Sequence, residues 1–304
     1  MKVGVIMGGV SSEKQVSLMT GEEMIAHLDK NKYDIIPIRL DHKEELVEKA
    51  KPLDIALLAL HGKYGEDGTI QGTLDTLGVP FTGSGMLSSG LCMDKNITKK
   101  LLRYEGVPTP DWIQLTSMEE LDLEAIDQMG YPVVIKPNSG GSSVGVKLVY
   151  DREAVVSAVA EVFKWDTEVM IEQYIKGEEI TCSIIDGKML PVISIRHQAD
   201  FFDYNAKYDD VQTIEEVIEL PSDLHERVAS AAISCYKALK CSVYARIDMM
   251  VKDGTPYVME INSLPGMTKN SLLPKSAQAA GIAYSDLLDL IIETSLKARK
   301  KESF

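Results

Sequence analysis

Four polar side chains in the last quarter of the chain have the types and spacing of a site for a metal ion and phosphate. Arg246 and Asp248 are separated by one residue, as are Glu260 and Asn262. Two carboxylates and one carboxamide suit Mg²⁺, because this ion usually takes one or two carboxylates and leaves positions for nucleotide phosphates. The alternative is a solvated hairpin face, but such faces favour Lys, Glu and Thr and do not select Asn.

A β-hairpin would bring these four side chains together. The strand-like runs Ala245–Val251 and Pro256–Ile261 are joined by Lys-Asp-Gly-Thr, which is typical of a tight turn. Side chains alternate between the two faces of a strand, so the members of each polar pair share a face. If the two faces coincide, the hairpin presents all four groups on one side of a sheet.

A second candidate for phosphate binding is the loop 138–145, Asn-Ser-Gly-Gly-Ser-Ser-Val-Gly. Its backbone N–H groups can converge on phosphate oxygens, and the hydroxyls of Ser142 and Ser143 add donors. The loop is neither a Walker A loop nor a GxGxxG motif, and a flexible hairpin tip is the alternative. Lys136 ends the apolar strand before the loop and can neutralise phosphate, as can Lys95 at a helix start, where a solvated lysine is equally reasonable.

Two positions near strand ends could bind a small zwitterion. His61 begins the glycine-spaced loop 61–68, His-Gly-Lys-Tyr-Gly-Glu-Asp-Gly, which can also be only a turn with a capping acid. Glu13 lies near the start of the first predicted helix, where it could accept an ammonium group or only stabilise the helix dipole.

Two other segments are weaker candidates. One of them is the end of a predicted strand, Glu172, Gln173, Tyr174 and Ile175, with Glu179 shortly after. This segment is either an edge strand and turn or a linker whose backbone recognises an adenine. The aromatic, polar segment 200–212 is either a loop docked by its aromatic rings or a lid that excludes water from a hydrolysable intermediate.

The elements that position these residues follow an α/β pattern. Strand, glycine turn, helix and strand in the first 60 residues predict a parallel sheet, whose ligands bind beyond the carboxyl ends of the strands. We predict three units, 1–90, 91–178 and 179–304. The predicted strands are Lys2–Met7, Pro52–Leu60, Pro132–Pro137, Val146–Tyr150, Val169–Tyr174, Ile180–Ile185 and Leu190–Ile195, besides the hairpin. The predicted helices are 11–28, 94–106, Glu153–Phe163, Leu224–Leu239 and one from Ser285.

The bulk composition excludes several classes of protein. The chain has 304 residues, 45% of them hydrophobic, and a net charge of −14, which argues against a general binder of nucleic-acid backbones. The four cysteines show no metal-binding spacing, and with no signal peptide they are expected to be reduced cytosolic thiols. No apolar run approaches the roughly 20 residues that cross a bilayer. We therefore expect a cytoplasmic protein that binds neither nucleic acid nor membrane.

Taken together, the motifs resemble those of the ATP-grasp ligases and, among them, the D-alanine–D-alanine ligase family. The resemblance covers essentially the whole chain in order. The matching blocks are Gly8–Leu18, His61–Gly68, Met93-Asp-Lys95, Lys136–Gly145, Tyr204–Tyr208, Arg246-Ile-Asp248, Glu260–Gly266 and Ser271-Leu272. It implies an α/β, three-domain ATP-grasp architecture with an N-terminal, Rossmann-like parallel sheet.

The resemblance also implies a reaction, in which ATP phosphorylates one D-alanine and the amine of a second D-alanine displaces the phosphate. Asp248, Glu260 and Asn262 would hold two Mg²⁺ ions, or Mn²⁺, while Lys95 and Lys136 neutralise phosphate. A potassium-like monovalent cation and a cytoplasmic homodimer are further implications.

The remaining roles are carried over in the same way. Arg246 and the Gly266 N–H would stabilise an oxyanion, Glu13 and His61 would bind the first substrate, and Ser271 with Leu272 the second. Ser142 and Tyr208 would hydrogen-bond across loop and lid. The nucleotide contacts would be Ser143, Glu172, Gln173, Tyr174, Ile175, Glu179 and Lys207.

Three alternatives stay open. A ligase that joins D-alanine to a hydroxy acid such as D-lactate shares the motifs, although Lys207-Tyr208 match the dipeptide-forming members. A nucleotide-regulated binding module without turnover has no need for an oxyanion donor beside its metal ligands. A nicotinamide dehydrogenase needs a dinucleotide fingerprint, which the sequence lacks.

Overall fold

The computed structural model describes residues 1–197 and 213–302, with side chains for 1–196 and 213–300. Within these ranges the chain forms three sheets covered by helices. The strands are β1 (Lys2–Gly8), β2 (Asp34–Leu40), β3 (Ile55–Leu58), β4 (Trp112–Leu115), β5 (Val133–Pro137), β6 (Lys147–Val149), β7 (Val169–Gln173), β8 (Glu178–Ile185), β9 (Lys188–Met189), β10 (Val192–His197), β11 (Thr213–Ile218), β12 (Tyr244–Lys252) and β13 (Thr255–Asn262).

Helices pack against all three sheets, and a short 3₁₀ turn spans Met118–Glu120. They are α1 (Lys14–His27), α2 (Glu45–Ala50), α3 (Thr69–Thr76), α4 (Met86–Met93), α5 (Lys95–Tyr104), α6 (Leu123–Met129), α7 (Arg152–Val162), α8 (Ser222–Ala238), α9 (Leu272–Ala279) and α10 (Tyr284–Glu302). No helix in the described part of the chain is long and apolar enough to cross a membrane.

The N-terminal sheet is parallel, in the order β2-β1-β3. The central strand β1 is buried from Val3 to Gly8, as expected for a parallel strand with neighbours on both sides. Gly8 ends it at φ 91°, and a Cβ there would lie 2.7 Å from the carbonyl oxygen of Leu40. This glycine therefore lets the chain turn directly into the loop before α1.

The other two sheets are antiparallel. The central one has the order β4-β7-β5-β6, and the loop 138–145 connects its paired strands β5 and β6. The C-terminal one has the order β11-β10-β8-β12-β13, with β9 paired to β8. The turn between β12 and β13 has positive φ at Asp253 (50°) and Gly254 (74°). Both values fit a type I′ hairpin turn, which explains the Asp-Gly pair at this position.

Each sheet has its own apolar core, but two helices pack into the core of a sheet from another part of the chain. Leu287, Leu288 and Ile291 of α10 pack into the core of the N-terminal sheet. Leu102 of α5 packs with the C-terminal sheet and α8. All four cysteines are buried and free, in agreement with the sequence-based expectation of reduced thiols.

Most predicted elements are present, with three kinds of difference. The predicted strand Pro52–Leu60 is shorter, Ile55–Leu58, and the strand predicted at Leu190–Ile195 runs from Val192 to His197. Strand β2 was missed because Pro37 interrupts its apolar run. β2 lies at the edge of its sheet, where proline is tolerated because the missing N–H need not bond a neighbour. The short elements β4, β9, β11, α2, α3, α4, α6 and α9 were also missed.

Candidate active site

The hairpin β12–β13 brings the four polar side chains together, as predicted. Its register pairs Arg246 with Asn262 and Asp248 with Glu260. Both oxygens of Asp248 accept hydrogen bonds from Arg246, one from Nε at 2.9 Å and one from a terminal nitrogen at 2.8 Å. The amide nitrogen of Asn262 donates to the same carboxylate at 3.1 Å. The two faces of the hairpin therefore coincide.

Asp248 has a further partner that the sequence did not reveal. The hydroxyl of Thr181, on the neighbouring strand β8, donates to its Oδ1 at 2.6 Å. Thr181 is paired opposite Asp248 in the sheet and is buried. This donor fixes the orientation of the carboxylate, as the outer partners of metal-ligating carboxylates do.

The electrostatics of Arg246 are set by surrounding carboxylates. Burial alone would lower its pKa, but Asp248, Glu260 and Glu66 raise it above its usual value. Arg246 is therefore a permanent cation. Glu66 belongs to the loop 61–68, so this loop of the N-terminal unit lies close enough to act on the charge of Arg246.

A cleft of about 960 Å³ opens beside the hairpin, between the central and C-terminal sheets. Its size lies at the upper end of typical ligand pockets. The sequence-predicted residues that line it are Lys95, Lys136, Ser142, Ser143, Glu172, Gln173, Tyr174, Ile175, Glu179, Arg246, Asp248, Glu260 and Leu272.

Two lysines and the loop 138–145 form one wall of the cleft. The ammonium of Lys95 donates to the carbonyl oxygen of Gly140 at 2.7 Å, which ties α5 to the loop. Ser142 and Ser143 both have positive φ, 54° and 56°. Two successive residues other than glycine in the left-handed region are uncommon. Burial lowers the pKa of Lys95, partly opposed by Glu260.

Lys136 belongs to a buried ion-pair cluster with Glu172 and Lys99. Its ammonium donates to Glu172 Oε2 at 2.7 Å, and the other oxygen of Glu172 lies 2.5 Å from the ammonium of Lys99. Glu172 is fully buried. Burial alone would raise its pKa, but Lys136 and Lys99 outweigh this and lower it. Lys99 is a functional candidate that sequence reasoning missed, because a lysine within an amphipathic helix gives no sign of burial.

The N-terminal unit contacts the loop through Glu13. The hydroxyl of Ser142 donates to Glu13 Oε1, and Glu13 makes no capping bond to α1 with its side chain. Gly62 has φ 71°, and a Cβ there would lie 2.7 Å from Glu13 Oε2. The glycine after His61 therefore leaves the space that the Glu13 carboxylate occupies.

His61 is buried beneath this contact. Its Nε2 lies 3.2 Å from Thr20 Oγ1 and its Nδ1 lies 3.4 Å from Glu66 Oε1. The hydroxyl of Ser11 donates to its carbonyl oxygen at 2.6 Å. These contacts fix the start of the loop 61–68 next to Glu13.

The segment after β13 folds back on itself. A Cβ on Gly266 would lie 3.1 Å from Ser271 Oγ, so the two residues are close neighbours. Ser271 occupies the N-cap position of α9 without making a capping hydrogen bond, and its hydroxyl instead lies 2.8 Å from that of Thr268. A helix N-terminus of this kind suits a carboxylate. α9 was not predicted, so this geometry could not be foreseen.

The residues around Tyr174 link β7 of the central sheet to β8 of the C-terminal sheet. This linker lies along the cleft, with Ile175 buried and Gln173 bonded through its backbone N–H to Asp111. Five predicted site residues do not line the cleft: Glu13, His61, Asn262, Gly266 and Ser271. They adjoin it through the contacts with Ser142, Asp248 and α9. Lys207 and Tyr208 lie outside the described residues.

The oxygen donors of the hairpin fit a divalent ion only together with a ligand. Among the described residues, no group of three or more His, Cys, Asp or Glu side chains could hold a metal. Asp248, Glu260 and the amide oxygen of Asn262 supply an incomplete oxygen set, which phosphate oxygens can complete. The residues present therefore fit Mg²⁺ bound with a nucleotide.

Two antiparallel sheets line a nucleotide-sized cleft, and a unit with a parallel sheet precedes them in the chain. This arrangement defines the ATP-grasp class of ligase fold. The family model of the D-ala D-ala ligase N-terminus matches residues 2–51 and 41–84. The family model of the D-ala D-ala ligase C-terminus matches residues 101–293. A D-alanine–D-alanine ligase of Bacillus anthracis is 72% identical over 304 residues, all of both chains. The chain belongs to the D-alanine–D-alanine ligase family.

Solved structures agree with this assignment. The crystal structure of D-alanine–D-alanine ligase from Bacillus anthracis complexed with ATP is 68% identical, with a TM-score of 0.92 over 99% of each chain. The VanG D-Ala:D-Ser ligase from Enterococcus faecalis is 30% identical, with a TM-score of 0.85 over 97% of this chain and 99% of that one.

Proposed function

We propose that this protein is an ATP-dependent ligase that joins two D-alanine molecules into D-alanyl-D-alanine for a peptidoglycan precursor. The observation that carries the proposal is the placement of Arg246 against Asp248, opposite Glu260, on the edge of a cleft large enough for ATP. A pure nucleotide binder has no use for a fixed guanidinium beside its metal ligands. The identity of the substrate, D-alanine, is inferred from the names of the close relatives.

The chemistry requires activation of a carboxylate, because its oxygen is a poor leaving group. A carboxylate oxygen of the first D-alanine attacks the γ-phosphorus of ATP, which gives D-alanyl phosphate and ADP. The amine of the second D-alanine then attacks the carbonyl carbon, a proton is lost, and phosphate leaves with the original carboxylate oxygen.

The nucleotide lies in the cleft in this proposal. Lys95, Lys136 and Ser143 neutralise and orient the phosphates, and Lys207 adds a cation. Adenine and ribose contact the linker that joins the two sheets, through Glu172, Gln173, Tyr174, Ile175 and Glu179. The support is that all of these except Lys207 line one cleft.

Asp248, Glu260 and Asn262 would hold two Mg²⁺ ions, or Mn²⁺, and these ions would neutralise charge on the transferring phosphoryl group. The chain's own contribution is positional. Thr181 and Arg246 orient Asp248, and the cross-strand register sets Glu260 opposite it.

The two amino acids bind at the junction with the N-terminal unit. Glu13 receives the ammonium of the first D-alanine, while His61 supports the loop beside it and Ser142 with Tyr208 closes the site. Ser271 and Leu272, at the start of α9, receive the carboxylate of the second. The direct contact between Ser142 and Glu13 supports a single shared site.

Arg246 and the backbone N–H of Gly266 stabilise the oxyanion that forms when the amine attacks. Such donors act on charge that develops in the transition state, and the loss of one commonly costs roughly 10²–10³ in rate. Arg246 suits this role because it is charged at every accessible pH.

We also propose the units 1–90, 91–178 and 179–304 as substrate, central nucleotide and metal-bearing parts. The first two sheets fall within the first two segments, and the third begins at Glu178, one residue before the third segment. A cytoplasmic homodimer that binds a K⁺-like cation completes the proposal, on the basis of the family resemblance. Sedimentation of the purified protein tests the dimer.

The second substrate is the point at which relatives differ. The VanG structure is that of a D-Ala:D-Ser ligase and matches over nearly the whole chain. The experiment is ADP release with Mg-ATP and K⁺, with D-alanine alone, L-alanine, or D-alanine with D-serine or D-lactate, and the product mass for each. ADP formed in step with D-alanyl-D-alanine supports the proposal, whereas ADP formed only with another pair contradicts the substrate.

A further inference from the structure

We propose that Lys99 is a positioning residue for nucleotide binding: it neutralises Glu172, so that Lys136 keeps its positive charge for the phosphates. The inference rests on the proposed function, since it concerns how the ATP cleft obtains its charge. Lys99 does not line the cleft, and its effect passes through Glu172.

The geometry is a cation–anion–cation row that runs from the interior to the cleft. Lys99 is 1% exposed and does not line the cleft, whereas Glu172, 0% exposed, and Lys136, 8% exposed, both belong to its wall. The two ammonium groups lie on different oxygens of the same carboxylate, at 2.5 Å for Lys99 and 2.7 Å for Lys136. Glu172 therefore has one cation on each side.

The charges determine what the cleft presents to a phosphate. Glu172 with Lys136 alone is a neutral pair, and a phosphate approaching it meets no net charge. With Lys99 added, the row carries one positive charge, and the side chain that faces the cleft is Lys136. In a buried site this difference is screened far less than on the surface.

The other contacts of Lys99 are with groups that do not compete for its charge. Its ammonium donates to Thr109 Oγ1 at 2.6 Å and lies 5.4 Å from the ring centroid of Trp112. Glu172 is therefore the anion with which it pairs. Burying a lysine this deeply is costly unless it is paired, so a purely packing role would be better filled by an apolar side chain.

The experiment measures binding of Mg-ATP and of adenosine to the full chain by calorimetry, for the wild type and Lys99→Met. Adenosine carries no phosphate, so it reports the shape of the cleft without its charge. We expect Lys99→Met to weaken ATP binding about tenfold and to leave adenosine binding unchanged. Lys99→Gln, which can still bond Thr109, replaces Lys99→Met if the latter does not fold.

A second variant separates charge from structure. In Lys99→Met/Glu172→Gln the anion is removed with its inner cation, so Lys136 again carries an unopposed charge. Glu172 is also a proposed contact of the adenosine part, so any loss of that contact weakens ATP and adenosine alike. We therefore expect the ratio of ATP affinity to adenosine affinity to recover towards the wild-type value.

Equal weakening of ATP and adenosine, unchanged ATP binding, or no recovery in the double variant would each overturn the inference. Its failure is distinct from that of the proposed function. A wild type that binds ATP but does not ligate D-alanine contradicts the function alone, and a ligase whose Lys99→Met variant binds ATP normally contradicts the role of Lys99 alone.

Discussion

Arg246 donates hydrogen bonds to both carboxylate oxygens of Asp248, at 2.9 and 2.8 Å. It lies two residues before Asp248 on the same strand. The proposed oxyanion donor and a proposed metal ligand are thus one hydrogen-bonded unit. A bidentate pair of this kind fixes the guanidinium plane, which a lysine cannot reproduce. The position of the cation and the position of the metal ligand are therefore set together.

Replacing Arg246 with alanine should separate binding from chemistry. We expect kcat to fall by roughly 10²–10³, while the Kd for metal-free ATP changes little, because Lys95 and Lys136 still line the cleft beside the phosphates. The measurement is steady-state ligation beside ATP titration. Arg39→Ala, which removes an exposed pair with Glu22, is the matched control and should leave both values unchanged. Unchanged turnover in Arg246→Ala would show that its proposed role is wrong.

Ser142→Ala should act on the first amino acid. The variant removes the donor to Glu13 without changing the left-handed backbone. One such charge-assisted hydrogen bond contributes about 1.5–3 kcal/mol, so we expect the first D-alanine to bind roughly tenfold more weakly. Ser143→Ala is the matched variant, with the same backbone conformation, and should affect ATP instead. If both variants raise the KM for ATP alone, the contact with Glu13 does not serve substrate binding.

Thr181→Val tests whether the orientation of Asp248 is required for metal binding. Valine keeps the shape of threonine but removes the hydroxyl that donates to Oδ1. Partners of ligating carboxylates typically contribute 10–100-fold to metal affinity or activity. We expect Mn²⁺ binding with ATP, followed by electron paramagnetic resonance, to weaken by about this factor. Thr181→Ser should restore it, and equal binding by all three proteins would refute the role.

The pH dependence of ATP binding should report Lys99. Burial lowers the pKa of this lysine to about 8, although Glu172 opposes the shift. The charged groups around it are Glu172 on β7, Lys136 on β5 and Arg103 on its own helix. Below pH 8 Lys99 is charged and neutralises Glu172, so the positive charge of Lys136 is unopposed. As the pH rises through 8, Lys99 loses its proton. Glu172 then neutralises Lys136, and ATP affinity falls.

The same titration in Lys99→Met provides the comparison. Lys95, whose pKa is also lowered, is present in both proteins, so the difference between them isolates Lys99. We expect the wild type to approach the variant's weaker affinity by pH 9. A constant difference between pH 7 and 9 would contradict a titrating Lys99.

Much of this site could be predicted because local patterns encode it. The Asp-Gly turn predicts the hairpin, and alternation along its first strand places Arg246 beside Asp248. A β-bulge between Asp248 and Met249, which the sequence did not reveal, then shifts the register so that Glu260 and Asn262 lie opposite this pair. The loop 138–145 and Lys136 likewise follow from one strand and the turn after it.

The remaining features depend on contacts between distant segments, which no local pattern encodes. Thr181 and Asp248 meet because β8 and β12 pair, and the burial of Lys99 depends on how α5 packs against two sheets. The helix that begins after Ser271 has only eight residues, too few for a helical period to stand out in the sequence. Only the folded chain reveals these partners.

The most direct test of the account follows the carboxylate oxygen of D-alanine. With D-alanine labelled by ¹⁸O in its carboxylate, attack on ATP and loss of phosphate must carry one labelled oxygen into the released phosphate for each dipeptide. We predict D-alanyl-D-alanine, ADP and singly labelled phosphate in equal amounts. Unlabelled phosphate alongside the dipeptide would contradict the acyl phosphate route on which the proposed roles of Arg246 and Gly266 depend.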